Sequence, residues 1–433
     1  MIQFYYEKRS ETEKIRNGGY VMNISREYYL NQLIEKQNNG LVKIISGIRR
    51  CGKSYLLDPM FKNYLLDTGV GESHIIKLDL DSIENDFLLD AHKLYDYICE
   101  RIIDTEKYYI LLDEIQKVPS FEAVLNGLLK KNVDIYVTGS NSKFLSKDII
   151  TEFRGRGDEI KMFPLSFKEF FSIYDGTKED ALNEYLIYGG LPLTVLTKTD
   201  NNKIKYLERE RKRTYLKDVV DRNNIQNVEE LDYLVEVVAS SVGSLTNPLK
   251  LSKSFLNRDF KSTMTDKTIF KYLGYLEDAF IIEKSKRYDI KGKKYIDTPY
   301  KIYFTDLGIR NSFLNFRQIE EPHLMENLIY NELKIRGYSV DVGVVEVRDK
   351  DNKKQVEIDF VCNLGSKKYY IQSALSVSDD AKKQQELRPL LNVDDFFKKI
   401  IITKDGVSSY RNDDGILFLN IYEFLLNENS LDL

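Results

Sequence analysis

Tryptophan is absent from this chain of 433 residues, and only three cysteines, three histidines and eight prolines are present. Cys51, Cys99 and Cys362 lie far apart, with no Cys-x-x-Cys and no Cys/His cluster. That spacing argues against a zinc site or a disulfide framework. The scarcity of proline and a hydrophobic content of 42% exclude collagen, low-complexity disorder and a coiled-coil rod. No apolar run approaches the ~18 residues of a membrane span. The opening MIQFYYEKRS has no apolar signal-peptide segment. A cytoplasmic, reducing compartment is the expectation. An excess of one charge is also lacking. With 64 Lys+Arg against 68 Asp+Glu the formal net charge is −4, which excludes a bulk nucleic-acid coat and leaves room for a local basic patch. In tryptophan's place stand 30 Tyr and 22 Phe, and the length fits about two to four domains.

The patterning changes along the chain. Ser25–Asn39 has helical spacing, with Ser25 as its expected cap. Short β-branched runs follow at 41–46, 74–80, 108–113 and 133–139, separated by helical stretches. Apolar strands alternating with helices predict a parallel sheet covered on both faces. Residues 178–227 are helical and polar, interrupted by Gly189-Gly190-Leu191-Pro192. Beyond Val228 come helices, including 252–260 and 265–282, and then a strand hairpin turning near Lys291-Gly292. Helix, helix and β-ribbon is the order of a winged helix. A mixed α/β tail runs from His323 to a last helix near Ile421–Leu426.

Gly47-Ile48-Arg49-Arg50-Cys51-Gly52-Lys53-Ser54 matches GxxxxGK[ST], with a strand before it and a helix after it. Its glycines let the backbone turn N–H groups toward phosphate oxygens, and the following helix, entered through Tyr55, adds its positive end. Lys53 is expected to bridge the β- and γ-phosphates of ATP, and Ser54 to ligate Mg²⁺. The strand YYILLDE stops on two carboxylates: Asp113 would hold Mg²⁺, and Glu114 would act as general base. Thr138, Ser140 and Asn141 end the next strand, where Asn141 or Ser140 is the candidate γ-phosphate sensor. Arg154 or Arg156 is the candidate arginine finger.

Taken in order, GIRRCGKS, ILLDEIQKV, YVTGSNS, GRGDEIKMFPLSFKEFF, YGGLP, TYLKDVVDR and the later TIFKYLGYLEDAFIIEKSKRYDIKGKK, YFTDLGIRN, ENLIYNELKIRGYSVDVG, EIDFV and YYIQSALS resemble the prokaryotic AAA-type ATPases that carry a C-terminal domain of unknown function. The resemblance spans roughly Tyr29 to Leu425. It implies an α/β P-loop AAA+ core over residues 1–176, a helical linker or lid over 177–227, a winged helix over 228–320 and a small restriction-endonuclease-like α/β domain over 321–433. It also implies ring-like homo-oligomers, and it favours Arg156 over Arg154 as the finger, because the family's Gly-Arg falls on Gly155-Arg156.

A nuclease core of that type needs a helix Glu, a strand Asp and an acid-x-Lys on the next strand, to hold Mg²⁺ and position hydroxide. Glu326 and Asp359 fill the first two places. Gln372 stands at the acid and Ala374 at the Lys, so a degenerate site without cleavage is expected. Between Glu283 and Lys301, seven Lys/Arg face three acids. The tip lysines Lys291, Lys293 and Lys294, interleaved with tyrosines, suit phosphate contacts on double-stranded DNA. The combined expectation is an ATP-hydrolysing AAA+ protein that couples nucleotide state to DNA or a partner. Its alternatives are a slow nucleotide-gated switch and an active ATP-dependent nuclease.

Overall fold

The computed structural model describes residues 24–140, 155–258, 264–349, 352–406 and 408–433. The first sheet comprises β1 (Val42–Ser46), β2 (Ile75–Asp79), β3 (Tyr108–Asp113), β4 (Val133–Gly139) and β5 (Gly157–Lys161). Its order is β2-β3-β4-β1-β5, and every pairing is parallel. β1, β3 and β4 are buried along their whole length, because alternate side chains enter two different cores. Ile45, Tyr109 and Leu111 go to one core, and Val42, Ile44, Ile110 and Leu112 to the other. A strand buried on both faces has no polar alternation, and the runs that located these strands are broken only by charged or small polar residues such as Lys43 and Asp134, which pair with each other in the interior. β5 escaped that logic. It reads GDEIK, Ile160 is its one core residue, and backbone pairing from Val42↔Gly157 to Ser46↔Lys161 holds it in place.

The helix Glu27–Glu35 starts without the cap expected of Ser25. Arg26 occupies that position and makes no side-chain cap. Its buried guanidinium donates instead to the carbonyls of Phe163 (2.6 Å) and Cys51 (3.4 Å), and it pairs with Glu169 at 3.2 Å. The first helix is thereby fastened to the loop after β1.

Helices Lys178–Tyr188, Asp200–Glu210 and Lys217–Asn223 lead to a second group, Val228–Ser240, Pro248–Arg258 and Asp266–Asp278. The middle one of that second group was expected to start at Ser252. It starts four residues earlier, at Pro248, where a ring that fixes φ suits the first helical position. Thr265 caps the third by accepting from the Thr268 amide at 3.2 Å, and Ile269, Leu273 and Leu276 are its buried stripe. An antiparallel hairpin follows, β6 (Ile282–Asp289) and β7 (Lys294–Phe304), and Thr246 bridges Tyr300 beside it.

The hairpin does not end as a separate ribbon. With β8 (Ser339–Asp349), β9 (Asn352–Leu364), β10 (Lys367–Ala374), β11 (Lys398–Thr403), β12 (Tyr410–Arg411) and β13 (Leu417–Asn420) it forms one eight-stranded sheet, ordered β12-β13-β11-β10-β9-β8-β6-β7. β6 lies parallel to β8 over Arg287–Asp289. One face of this sheet, through Phe360, Ile371, Ile400 and Leu419, shares a core with Leu328 of the helix Glu321–Ile335 and with Leu273. The other face packs Tyr370, Ile401 and Phe418 against Leu387 and Leu390 of the helix Asp380–Leu391.

The helix Leu307–Phe313 is buried on all sides and joins these layers through polar groups. Asp306 caps it, accepting from the Ile309 amide at 2.8 Å, and also accepts from the Gly190 amide at 2.8 Å; burial pushes its carboxyl up to about 6. Arg310 donates to the carbonyls of Ala239 (2.8 Å) and Gln318 (2.5 Å). Leaving the buried Ala239 carbonyl unpaired costs roughly 1–3 kcal/mol. Among the described residues no helix is long and apolar enough to cross a membrane.

Candidate functional sites

β1 delivers the chain to the phosphate motif, and the backbone there needs its glycines. Gly47 has φ 144°, and a Cβ would lie 2.1 Å from the Met162 carbonyl oxygen; Gly52 has φ 104° where the next helix begins. Ile48 and Cys51 are buried, with the Cys51 thiol directed at the Met162 carbonyl at 3.6 Å. The loop is thus pinned from beneath and presents its other side outward. Lys53 is buried, and its ammonium donates to the carbonyls of Gly47 and Ile48, both at 3.0 Å. Neutral carbonyls hold an ammonium less strongly than a phosphate oxygen does, so Lys53 is free to exchange partners within its own loop. Tyr55 is half-buried one residue beyond the exposed Ser54.

β3 ends beside this loop. Asp113 is buried and accepts from the hydroxyls of Thr138 and Ser54. Burial drives its carboxyl upward, against those two hydrogen bonds, and Glu114 and Asp79 add to the rise. The Asp113 carboxylate and the Ser54 hydroxyl are adjacent oxygen donors, the donor type that a divalent cation takes. Glu114 adopts a left-handed backbone, φ 54°, which swings it off the strand axis. Its amide donates to Thr138 Oγ1 at 2.9 Å, and its Oε2 accepts from Gln116 and, at 3.4 Å, from Ser140. Motif residues from β1, β3 and β4 are thus gathered at the C-terminal ends of adjacent strands.

Helices more than 150 residues further along the chain reach the same loop. Arg49 forms a forked pair with both Asp218 oxygens at 2.7 and 2.6 Å, and Arg50 pairs with the buried Glu210 at 2.5 Å. Tyr215 donates to the Arg49 carbonyl at 3.0 Å, and Arg222 reaches Ser140 Oγ at 3.4 Å. Sequence reading assigned no role to Glu210, Tyr215, Asp218 or Arg222. The run TYLKDVVDR, which contains the last three, was the available signal. Asn141 and Arg154 lie outside the described residues. Arg156 is exposed at the start of β5, and its guanidinium contacts Asn126 at 3.3 Å. Its carbonyl accepts from the Val42 amide, at the opposite end of β1 from the phosphate loop. Four residue steps of strand, about 13 Å, separate its backbone from the phosphate loop.

In the tail, Glu326 and Asp359 do come together, and a cation stands between them. Lys301 Nζ lies 2.9 Å from Glu326 Oε1 and 3.0 Å from Asp359 Oδ1. Ala374 was expected to leave these carboxylates without a positive neighbour. The structure supplies one from β7, because sheet continuity carries the hairpin strand under the helix Glu321–Ile335. Burial, which alone would lower the Lys301 pKa, is outweighed by Asp359 and Glu326, and the ammonium is held well above its ordinary range. Burial and then Asp359 push Glu326 up to about 7, against the pull of Lys301. Gln372 lies alongside. Its oxygen accepts from the Asp359 amide at 2.7 Å, and its nitrogen donates at 2.9 Å to Glu386, a residue the sequence did not single out. Among the described residues no three His, Cys, Asp or Glu side chains are grouped to hold a metal ion.

The same burial corrects the count of wing charges. Lys301, taken as one of seven basic residues facing DNA, is only 4% exposed. Lys284 is engaged with Glu277 at 2.5 Å. Lys291, Lys293 and Lys294 are exposed at the hairpin tip.

Comparison with known proteins agrees with the first sheet. Residues 39–171 match the family described as AAA domain, and residues 179–320 match a domain of unknown function, DUF8612. Among solved structures, a Walker-type ATPase of Pyrococcus abyssi is 16% identical with a TM-score of 0.45, covering 67% of this chain and 96% of its own. An Orc1 protein of Aeropyrum pernix, solved in complex with DNA, is 12% identical with a TM-score of 0.29, covering 66% and 91%. An uncharacterized protein of Methanocaldococcus jannaschii is 28% identical over 88% of this chain and 87% of its own. An uncharacterized protein of Haemophilus influenzae is 34% identical over 93% of this chain and 98% of its own. The chain belongs to the same family as this Haemophilus influenzae relative and carries an AAA domain over residues 39–171.

Proposed function

We propose that the first sheet binds and hydrolyses ATP, and that nucleotide state is coupled through the middle helices to the hairpin and tail. The observation that carries this reading is the convergence of Lys53, Ser54, Asp113 and Glu114 at neighbouring strand ends. Lys53 leaves its two carbonyls to neutralise phosphate charge, the loop amides orient the phosphates, and Glu114 accepts a proton from water. Mg²⁺, when bound, supplies further neutralisation of phosphate charge, with Ser54 and Asp113 holding it. Asn141 or Ser140 senses the γ-phosphate in this reading. Arg156, too far from the loop of its own subunit, serves a neighbouring copy in a homo-oligomer.

Three helices, the Thr246–Tyr300 bridge and the hairpin support a winged helix over 228–320, with Lys291, Lys293 and Lys294 offered to double-stranded DNA. The order helix, β8, β9, β10, helix, β11, with Glu326, Asp359 and Gln372 at corresponding places, supports a degenerate nuclease-like domain over 321–433. One observation favours a slow, nucleotide-gated switch. Arg49 and Arg50 of the phosphate loop are clasped by Asp218 and Glu210, so loop movement must break or remake ion pairs with the middle helices. ATP turnover by the full chain, with and without double-stranded DNA, tests the proposal. Lys53→Ala is expected to abolish nucleotide binding, and unchanged affinity in that variant overturns the site.

A further inference from the structure

The hairpin lysine that reaches the tail carboxylates is held by geometry unlike that of a surface ion pair. Lys301 lies on β7, and its ammonium faces Glu326 Oε1 and Asp359 Oδ1 at 2.9 and 3.0 Å. The other partners of the two carboxylates also come from the protein. Tyr303 donates its hydroxyl to Glu326 Oε1 at 2.7 Å, and the Ser373 amide donates to Asp359 Oδ2 at 3.0 Å. Gln372, at the place of a third carboxylate, adds no charge and spends its amide on Asp359 and Glu386. The ammonium offsets one carboxylate of the pair, and Glu386, bonded to Gln372, adds a further carboxylate beside them.

We propose that the Lys301 ammonium is the resident cation of this site, standing between Glu326 and Asp359 in the place where a nuclease of this type holds a divalent metal. The inference rests on the nuclease-like reading of the tail and goes beyond it, since it gives a reason for the absence of cleavage expected there. An ammonium donates hydrogen bonds but has no coordination position in which to bind and acidify a water. A metal ion entering here must first expel a buried charged side chain, which then has no partner. The same side chain fastens the base of the hairpin to the helix Glu321–Ile335 and to β9, so the former metal position serves as a tether.

The test is Mn²⁺ binding to the full chain without nucleotide, followed by electron paramagnetic resonance, for the unaltered protein, Asp359→Asn, Lys301→Met and Lys301→Met/Asp359→Asn. The expected result is no Asp359-dependent Mn²⁺ in the unaltered protein. Lys301→Met should gain a single additional Mn²⁺, absent again in the double variant, and Mn²⁺ should raise the melting temperature of Lys301→Met alone. Mn²⁺ bound by the unaltered protein and abolished in Asp359→Asn overturns the resident-cation proposal and leaves the nuclease-like reading standing. A folded Lys301→Met that gains no Mn²⁺ shows that these carboxylates are not a metal-type pair, and both fall. Should Lys301→Met fold only when Mn²⁺ is supplied, that dependence supports the proposal. Should it fail to fold under either condition, the unaltered protein and Asp359→Asn still decide whether the position is closed to metal.

Discussion

Replacing Glu114 by Gln separates chemistry from binding. The side chain keeps its shape, and the backbone at this left-handed position is fixed independently by the amide hydrogen bond to Thr138 at 2.9 Å. Both side-chain contacts are to one oxygen, Oε2, and a Gln amide oxygen in that place still accepts from Gln116 and from Ser140, whose present contact at 3.4 Å is long. The cost to folding should therefore stay below about 1 kcal/mol. Only basicity is lost. A positioned general base contributes typically ~10²–10⁴-fold, or about 3–5 kcal/mol of barrier. Phosphate release by Glu114→Gln should fall by at least ~10²-fold, while titration with a fluorescent ATP analogue gives an affinity within about threefold of the parent. Hydrolysis at the parental rate would place the base on another residue. Parallel loss of binding and hydrolysis would show instead that Glu114 supports the loop and takes no part in proton transfer.

Arg156 is predicted to act on a neighbouring subunit, so mixing Arg156→Ala with Lys53→Ala chains should restore part of the ATP turnover that each lacks alone. Absence of any ATP-dependent oligomer by mass measurement refutes this. Reversal of Lys291, Lys293 and Lys294 to Glu should weaken DNA binding and flatten its salt dependence by roughly one unit of slope for each phosphate that is no longer neutralised. Unchanged binding by the triple variant moves the interface away from the hairpin tip.

The phosphate site was legible because its chemistry is local. Eight consecutive residues set the loop, and an apolar run ending in two carboxylates sets its partner strand. What touches this loop from afar was not legible. Asp218 is 169 positions from Arg49, and no periodicity links a helix residue to a loop that distant. β5 was missed because edge pairing rather than apolar burial makes it a strand. Lys301 was misjudged for a related reason: a lysine among other lysines reads as solvated charge until sheet register places it beneath a helix. The tail carboxylates were located from their motif positions, whereas Glu386 entered the site only through the packing of the helix Asp380–Leu391 on the sheet.

The sheet shared by hairpin and tail also limits how this molecule can move. A ribbon attached only at its own turn can flap, scanning a surface while the rest of the body stays still. Here β6 is bonded to β7 on one side and to β8 on the other, and Lys161 at the end of β5 pairs with Glu283 near the start of β6. β5 in turn lies against β1, the strand that carries the phosphate loop. The lysine-bearing tip therefore has no private hinge. A rotation of that tip must carry the tail along as a single plate, and the Lys161–Glu283 pair ties the plate to the edge of the sheet that bears the Gly47–Ser54 loop.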